Sequence, residues 1–355
     1  MMRVCRMLVI GLAVALPSVG FGAPGPMIPP AMPAAGPTAS GNLAIRAIPG
    51  TRDAAIPAGA KVLVTLFHQG RPVRQLDATL DDTGLAVLSD VPVVAALTPV
   101  VQVEYSGVTY QDTGPEMTPE HPDSSVQVTV FETTNAKPAW RVVSRQVLVT
   151  PSPGRVSVSE TVYVDNPSDK TWLGDKPASN GKTTTVDLSL PERAENVTLG
   201  GGFHGWCCTT FEGGTLAVQM PLMPGKYVYQ FTYDVATPTG EGTISLGADA
   251  VTDEVAMFIP ESGVTASPDG LSPGSVQMTE SGPLRLYVGR GVGPGQRVSV
   301  ALTGLVPEVV TPVADPGAVP AGAMSSGLSP VVWIGGGVVL VLGGYAVAAA
   351  MRRGA

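Results

Sequence analysis

A short segment in the second half of the chain brings together the side chains best suited to chemistry. The segment FHGWCC, residues 203–208, contains His204, Cys207 and Cys208 between two glycine-rich stretches. Imidazole and thiolate groups are the ligands that soft or borderline ions such as Cu(I) and Zn²⁺ prefer. Three such donors within five residues are therefore predicted metal ligands, although a fourth ligand is not evident from the sequence.

Two other interpretations of the cysteines stay open. Cys5 falls in a segment predicted to be removed, so Cys207 and Cys208 remain as an even, adjacent pair. An even count in an oxidising compartment suggests a disulfide, either vicinal or intermolecular. Adjacent Cα atoms are about 3.8 Å apart, however, which is below the usual disulfide range of roughly 4.4 to 6.8 Å. The third interpretation makes one or both cysteines small buried hydrophobic side chains on a strand, where alternation would point one inward and the other outward.

Other motifs that resemble catalytic sequences lie in the wrong context. His68 ends a predicted strand and His121 lies in a loop, so both are predicted to be solvated loop residues. The G-x-S-x-G match at 270–274 lies in a cluster of turn residues, and no histidine follows it, which argues against a serine hydrolase. The glycine-rich run 289–295 lacks the Lys and the helix of a phosphate loop. The sequence thus predicts no catalytic set and no cofactor.

Composition and charge narrow the function classes further. The chain has 355 residues, and its formal net charge of −8 comes from 21 basic and 29 acidic groups. Phosphate binding needs a basic surface, so a nucleic-acid partner is disfavoured. Acidic stretches at Asp81-Asp82 and 165–169 are interpreted as solvated turns rather than Ca²⁺ sites, because Asp and Asn are ordinary turn residues.

Apolar and polar residues alternate with a period of two, which indicates that β-strands position the candidate side chains of the 203–208 segment. In 155–164 the valines share one face, which only Glu160 interrupts, and in 226–235 three tyrosines, Phe231 and Val235 share another. Gly (43) and Pro (34) make up more than a fifth of the chain, which argues against a helical bundle. Further strands are predicted at 61–67, 101–105, 125–131, 142–149, 184–190, 215–220, 255–259, 284–288 and 297–302. The predicted fold is all-β, with two or three consecutive β-sandwich modules.

The predicted organisation has three exported modules. The first covers 42–134, the second 135–240, and a small third 241–305, with the alternative that this third module is part of the second. Turn signals such as Asn180-Gly181 and Pro224-Gly225 separate the strands.

The first module resembles the carboxypeptidase regulatory-like domain, a transthyretin-type sandwich. The match consists of a strand, a variable turn, an Asp-x-x-Gly turn, a second strand and a Val-x-Val-x-Tyr strand. It covers about a quarter of the chain and rests on seven positions: Gly70, Pro72, Asp81, Gly84, Val101, Val103 and Tyr105. The resemblance implies a spacer or binding domain without catalytic residues.

The two ends of the chain predict export and anchoring. Residues 1–22 have the charged start, apolar run and small residues of a signal peptide. Residues 331–351 carry no charge and are long enough to form one transmembrane helix, and the arginines in 352–355 identify a cytoplasmic tail. The Pro-rich segments 23–41 and 306–330 are predicted to be a disordered linker and a stalk.

Together these features predict a single-pass protein of the bacterial cell membrane, with its N-terminus outside and its C-terminus cytoplasmic. Its predicted role is non-catalytic: binding, scaffolding or an accessory subunit of an envelope protein complex. The alternative is a redox or soft-metal handling protein that uses His204, Cys207 and Cys208.

Overall fold

The computed structural model describes residues 39–178 and 180–308 and is all-β within them. The signal peptide, most of the predicted linker and stalk, the predicted span at 331–351 and the tail lie outside the described residues. Where the structure is described, no helix is long and apolar enough to cross a membrane.

The first seven strands form two sheets that share one hydrophobic core. One sheet has the order β4-β1-β7 and the other β3-β2-β5-β6. Alternating apolar residues such as Leu43, Ile45, Val62 and Val64 point from both sheets into this core and are fully buried. The strands are β1 (Ala39–Pro49), β2 (Lys61–His68), β3 (Arg71–Thr79), β4 (Leu85–Val93), β5 (Thr98–Tyr105), β6 (Val108–Thr113) and β7 (Ser124–Val130).

Strand β1 holds its sheet together through two kinds of pairing. It runs antiparallel to β4 and parallel to β7, with Leu43 opposite Ser124 and Pro49 opposite Val130. Because β1 begins at Ala39, the last three residues of the predicted linker pair with β4.

The remaining strands surround a second and larger hydrophobic core. They are β8 (Thr133–Thr134), β9 (Arg141–Ser152), β10 (Arg155–Asn166), β11 (Thr171–Trp172), β12 (Lys176–Pro177), β13 (Thr183–Thr184), β14 (Val186–Ser189), β15 (Ala194–Leu199), β16 (Thr209–Glu212), β17 (Thr215–Val218), β18 (Gly225–Ala236), β19 (Gly242–Gly247), β20 (Thr252–Pro260), β21 (Thr265–Asp269), β22 (Ser272–Thr279), β23 (Gly282–Val292) and β24 (Arg297–Thr303). A seven-stranded sheet has the order β15-β18-β10-β9-β20-β23-β22. Two three-stranded sheets, β14-β17-β16 and β19-β24-β21, complete the framework. Because β9 pairs in parallel with β20, strands from both sides of residue 240 belong to one sheet.

A buried ionic network lies inside the larger core. The Arg145 guanidinium donates to Glu160 from Nε (2.6 Å) and from Nη2 (3.1 Å), and the Tyr233 hydroxyl donates to the same carboxylate at 2.7 Å. Arg145 also donates to the carbonyl oxygens of Gly247 and Ser189. Burial alone would lower the pKa of Arg145, but the charge and hydrogen bonds of Glu160 outweigh it and raise that pKa above its ordinary value.

Polar contacts join the two cores. The Thr51 hydroxyl donates to the carbonyl of Asp169 at 2.6 Å, and the Arg52 amide donates to the Asp169 carboxylate at 3.0 Å. Between the cores, the hydroxyls of Tyr110 and Thr171 lie 2.9 Å apart. The acidic turn at 165–169 therefore links the two halves of the described chain.

Candidate functional site

The loop at 203–208 follows β15 and leads directly into β16, and its first residue anchors it to the core. The Phe203 ring packs against Tyr229 and Phe231 of β18, with ring centroids 5.1 and 6.1 Å apart. Just before it, Gly202 has φ +88°, and an added Cβ there would lie 1.9 Å from the carbonyl oxygen of Val228. Only glycine allows this close approach, so the loop starts at a fixed place on β18.

Backbone hydrogen bonds fix the other end of the loop. The Cys208 amide donates to the carbonyl of Gly205 at 3.1 Å, which closes a tight turn, and the Gln219 amide donates to the carbonyl of Cys208 at 2.9 Å. Gly205 has φ +97°, in the left-handed region that favours glycine. The loop is therefore held on both sides, whereas the side chains of His204, Trp206 and Cys207 are exposed.

The structure brings the three predicted metal ligands together. His204 Nδ1 lies 3.3 Å from Cys207 Sγ and 3.8 Å from Cys208 Sγ, and the two sulfurs lie 3.4 Å apart. With one donor atom taken from each residue, the three atoms lie within 4.8 Å of one another. Trp206, between the donors in sequence, is 51% exposed.

Both cysteines are free thiols, with Cys207 exposed and Cys208 partly exposed. The interpretation of the pair as buried hydrophobic side chains on a strand is therefore wrong. The physical reason is the turn at 205–208, which comes before β16 and removes the in-and-out alternation of a strand. The hydrogen bond shared with Cys208 is the main cause that raises the pKa of Cys207, and nearby Lys182 acts in the opposite direction.

Lys182 is a member of the site that sequence analysis missed. Its ammonium donates to the carbonyl oxygen of Cys207 at 2.6 Å and lies 3.5 Å from Cys208 Sγ. The turn that carries Lys182 connects β12 and β13 and contains Asn180, whose side chain donates to Gln219 at 2.7 Å. The Asn180-Gly181 turn was evident from the sequence, but its contact with residues 25 positions later was not.

The other candidate groups have structural roles. His68 Nδ1 is 2.8 Å from the carbonyl oxygen of Ala96, and His121 lies in an exposed turn. Ser272 of the G-x-S-x-G match opens strand β22, so no helix follows it. The Asp81 carboxylate accepts bonds from the Leu85 amide and from the amide and hydroxyl of Thr83, and these bonds lower the pKa of Asp81.

A separate cleft of about 700 Å³ lies away from this loop. Arg193, Glu241 and Arg297 are among the residues that line it, together with backbone and side chains at the ends of β18 and β24. The mixture of both charges selects no single class of ligand.

Comparisons with known proteins add only a distant likeness. No family model matches the sequence, and no curated protein is significantly similar to it. The crystal structure of an M1 zinc metallopeptidase from Deinococcus radiodurans is similar with a TM-score of 0.28 and 10% identity, over 47% of this chain and 42% of that one. A mutant of that enzyme bound to a Tyr-Ser-Ala substrate gives 0.29 and 11%, over 46% and 42%. This chain thus matches less than half the length of those metallopeptidases, and so distant a likeness says nothing about its activity.

Proposed function

We propose that the protein is a single-pass protein of the bacterial cell envelope whose exported β-domains bind a partner and do not catalyse a reaction. The observation that carries this proposal is the loop at 203–208, which a rigid framework holds at both ends while Trp206 faces solvent. Tryptophan is enriched at the centres of binding interfaces because its large ring loses much water-exposed area on contact. The terminal segments 1–22 and 331–351, with the arginines after them, support export and anchoring.

The proposed domain organisation has sandwich modules between the membrane anchor and the N-terminus. For 42–134 we propose a carboxypeptidase regulatory-like sandwich, supported by two sheets around one core and by the Asp81 turn that leads into β4. For 135–305 we propose one or two further sandwich modules, supported by the shared core of the seven-stranded and three-stranded sheets. The first module would act as a spacer or a second binding domain.

The topology has a direct test. Protease added to spheroplasts should digest the exported region, residues 23–330, and leave a membrane-embedded stub. A middle region that resists protease until the membrane is permeabilised would overturn the proposed location.

The binding role is tested with a single side chain. Full-length protein purified in mild detergent should retain an envelope partner that Trp206→Ala releases. Met278→Ala is the matched control, since Met278 is 79% exposed on strand β22 and lies outside the loop. An unchanged set of co-purified proteins in the Trp206 variant would contradict the assignment of the loop.

A second candidate function is redox or soft-metal handling. The specific observation that favours it is the arrangement of His204, Cys207 and Cys208, whose donor atoms lie within 4.8 Å of one another at the surface. Metal content and thiol titration of the purified protein separate this function from a purely structural or binding loop.

A further inference from the structure

The donor atoms of the loop at 203–208 are spaced almost as a bound ion would hold them. Two sulfurs and a nitrogen on one face of a tetrahedral zinc-like site lie about 3.8 Å apart (S to S) and about 3.6 Å apart (S to N). The observed separations are 3.4 Å between the sulfurs and 3.3 and 3.8 Å from His204 Nδ1 to them. Closing the site around an ion thus needs shifts of only a few tenths of an ångström.

The framework around the loop holds the backbone that carries these donors before any ion arrives. Phe203 is packed against β18, and the backbone of Cys208 is bonded to Gly205 on one side and to Gln219 on the other. A preformed set of ligands loses less conformational freedom on binding than a flexible one. Solvent reaches the donors, because His204 and Cys207 are exposed.

Two properties of the site select among soft ions. Within the described part of the chain the cluster offers three protein ligands, so a zinc ion there would have to take a fourth ligand from water. Charge gives the second criterion. Two thiolates and a neutral imidazole sum to −2, so a monovalent ion leaves −1, which Lys182 beside Cys208 balances. A divalent ion would already neutralise the thiolates and would leave the Lys182 charge uncompensated next to the metal.

We propose that His204, Cys207 and Cys208 bind one Cu(I) ion, with Lys182 as the positioning residue that favours the monovalent ion over Zn²⁺. This inference rests on the metal-handling candidate above and names its metal. Binding replaces the two thiol protons, which are released to solvent, and no electron is transferred. Thiolates are soft ligands, in accordance with the preference of Cu(I).

The test uses full-length protein in mild detergent, reduced and kept without oxygen. Cu(I) is titrated in competition with a coloured Cu(I) chelator, and Zn²⁺ is titrated separately. We expect one Cu(I) per chain and quenching of Trp206 fluorescence, which Trp206→Phe abolishes without loss of binding. Cys207→Ser and Cys208→Ser should each weaken Cu(I) binding by more than about 100-fold, since losing a ligand costs more than losing an outer contact. Because both thiols reach the surface, unchanged far-ultraviolet spectra are expected for these variants.

Substitution of Lys182 tests its proposed role through the relative affinities for Cu(I) and Zn²⁺, which a merely structural role would not change. Lys182→Met should weaken Cu(I) binding by about 10-fold, as outer contacts of metal sites commonly do, without weakening Zn²⁺ binding. Lys176→Met on the same hairpin is the matched control, because Lys176 pairs with Asp187 and should leave both affinities unchanged.

Three results would overturn the proposal in different ways. Preferential binding of Zn²⁺ by the native protein would overturn the choice of copper and leave metal handling standing. Absence of any bound metal would overturn both. Equal Cu(I) binding by the double Ser variant would show that the ion lies elsewhere in the chain.

Discussion

Removing the charge of Glu160 gives the sharpest test of how the larger core is held together. Glu160→Gln preserves the shape of the side chain but removes the carboxylate paired with the Arg145 guanidinium, which is only 5% exposed, and leaves only the weaker attraction of Asp249. Breaking a buried ion pair from one side costs about 3 to 5 kcal/mol of unfolding free energy. Two backbone carbonyls still accept bonds from Arg145, so we expect a loss near the lower end, about 3 kcal/mol.

The assay is urea unfolding of the full-length protein in mild detergent, followed by tryptophan fluorescence. Trp140 and Trp172 report on the same core, because both are buried within it. Asp165→Asn is the matched control: it breaks the pair with Arg141, whose side chain is 47% exposed, and should cost less than about 1 kcal/mol.

Replacing both partners separates the charge from the fold. The double variant Arg145→Met with Glu160→Leu removes the charges together and should recover part of the loss, because apolar pairs can replace buried ion pairs. Recovery stays incomplete because the Tyr233 hydroxyl and the carbonyls of Gly247 and Ser189 lose these hydrogen-bond partners. If Glu160→Gln costs no more than Asp165→Asn, the claim that Arg145 depends on this carboxylate is refuted.

Two further predictions concern the loop and the tyrosines beneath it. Gly202→Ala should lower the unfolding free energy by about 1 to 3 kcal/mol, since the new Cβ would meet the Val228 carbonyl at 1.9 Å. Gly205→Ala has the same left-handed strain but open space around the Cβ, so an equal loss in both variants would contradict the steric argument. Burial raises the pKa of Tyr227 to about 12 and that of Tyr229 further, whereas unfolded tyrosines ionise near 10. Above pH 10 the unfolded state therefore loses protons that the folded state keeps. The urea concentration at which half of the protein is unfolded should thus decrease as the pH rises from 10 to 12. Tyr229→Phe should make the urea midpoint depend less on pH. The same pH dependence in the native protein and the variant would contradict the claim that Tyr229 contributes to it.

Strands with one buried face could be predicted closely from the sequence. The alternation at 155–164 corresponds to β10, and the aromatic alternation at 226–235 corresponds to β18, each longer by only a few residues. Edge strands such as β3 and β22 escaped prediction because most of their side chains are exposed, so no apolar face marks them.

The pairing of strands could not be predicted, because the alternation of apolar and polar residues indicates which face of a strand is buried but not which strand lies beside it. Glu160 stood out as a charge on an apolar face, but its partner Arg145 becomes evident only when β9 pairs with β10 and places Arg145 opposite Val162. The same limit applies to the loop at 203–208. Its three donors were evident from spacing, whereas their exposure depended on a turn, and Lys182 depended on a hairpin brought in from a distant part of the chain.

The parallel pairing of β1 with β7 has a mechanical consequence. Tension applied between Ala39, where β1 begins, and Val130, where β7 ends, pulls the two strands in opposite directions along their length. All seven register pairs, from Leu43 with Ser124 to Pro49 with Val130, then bear the load in shear at once and cannot open one after another. A chain tethered beyond β7 and pulled from the β1 end would therefore load this pair of strands in shear.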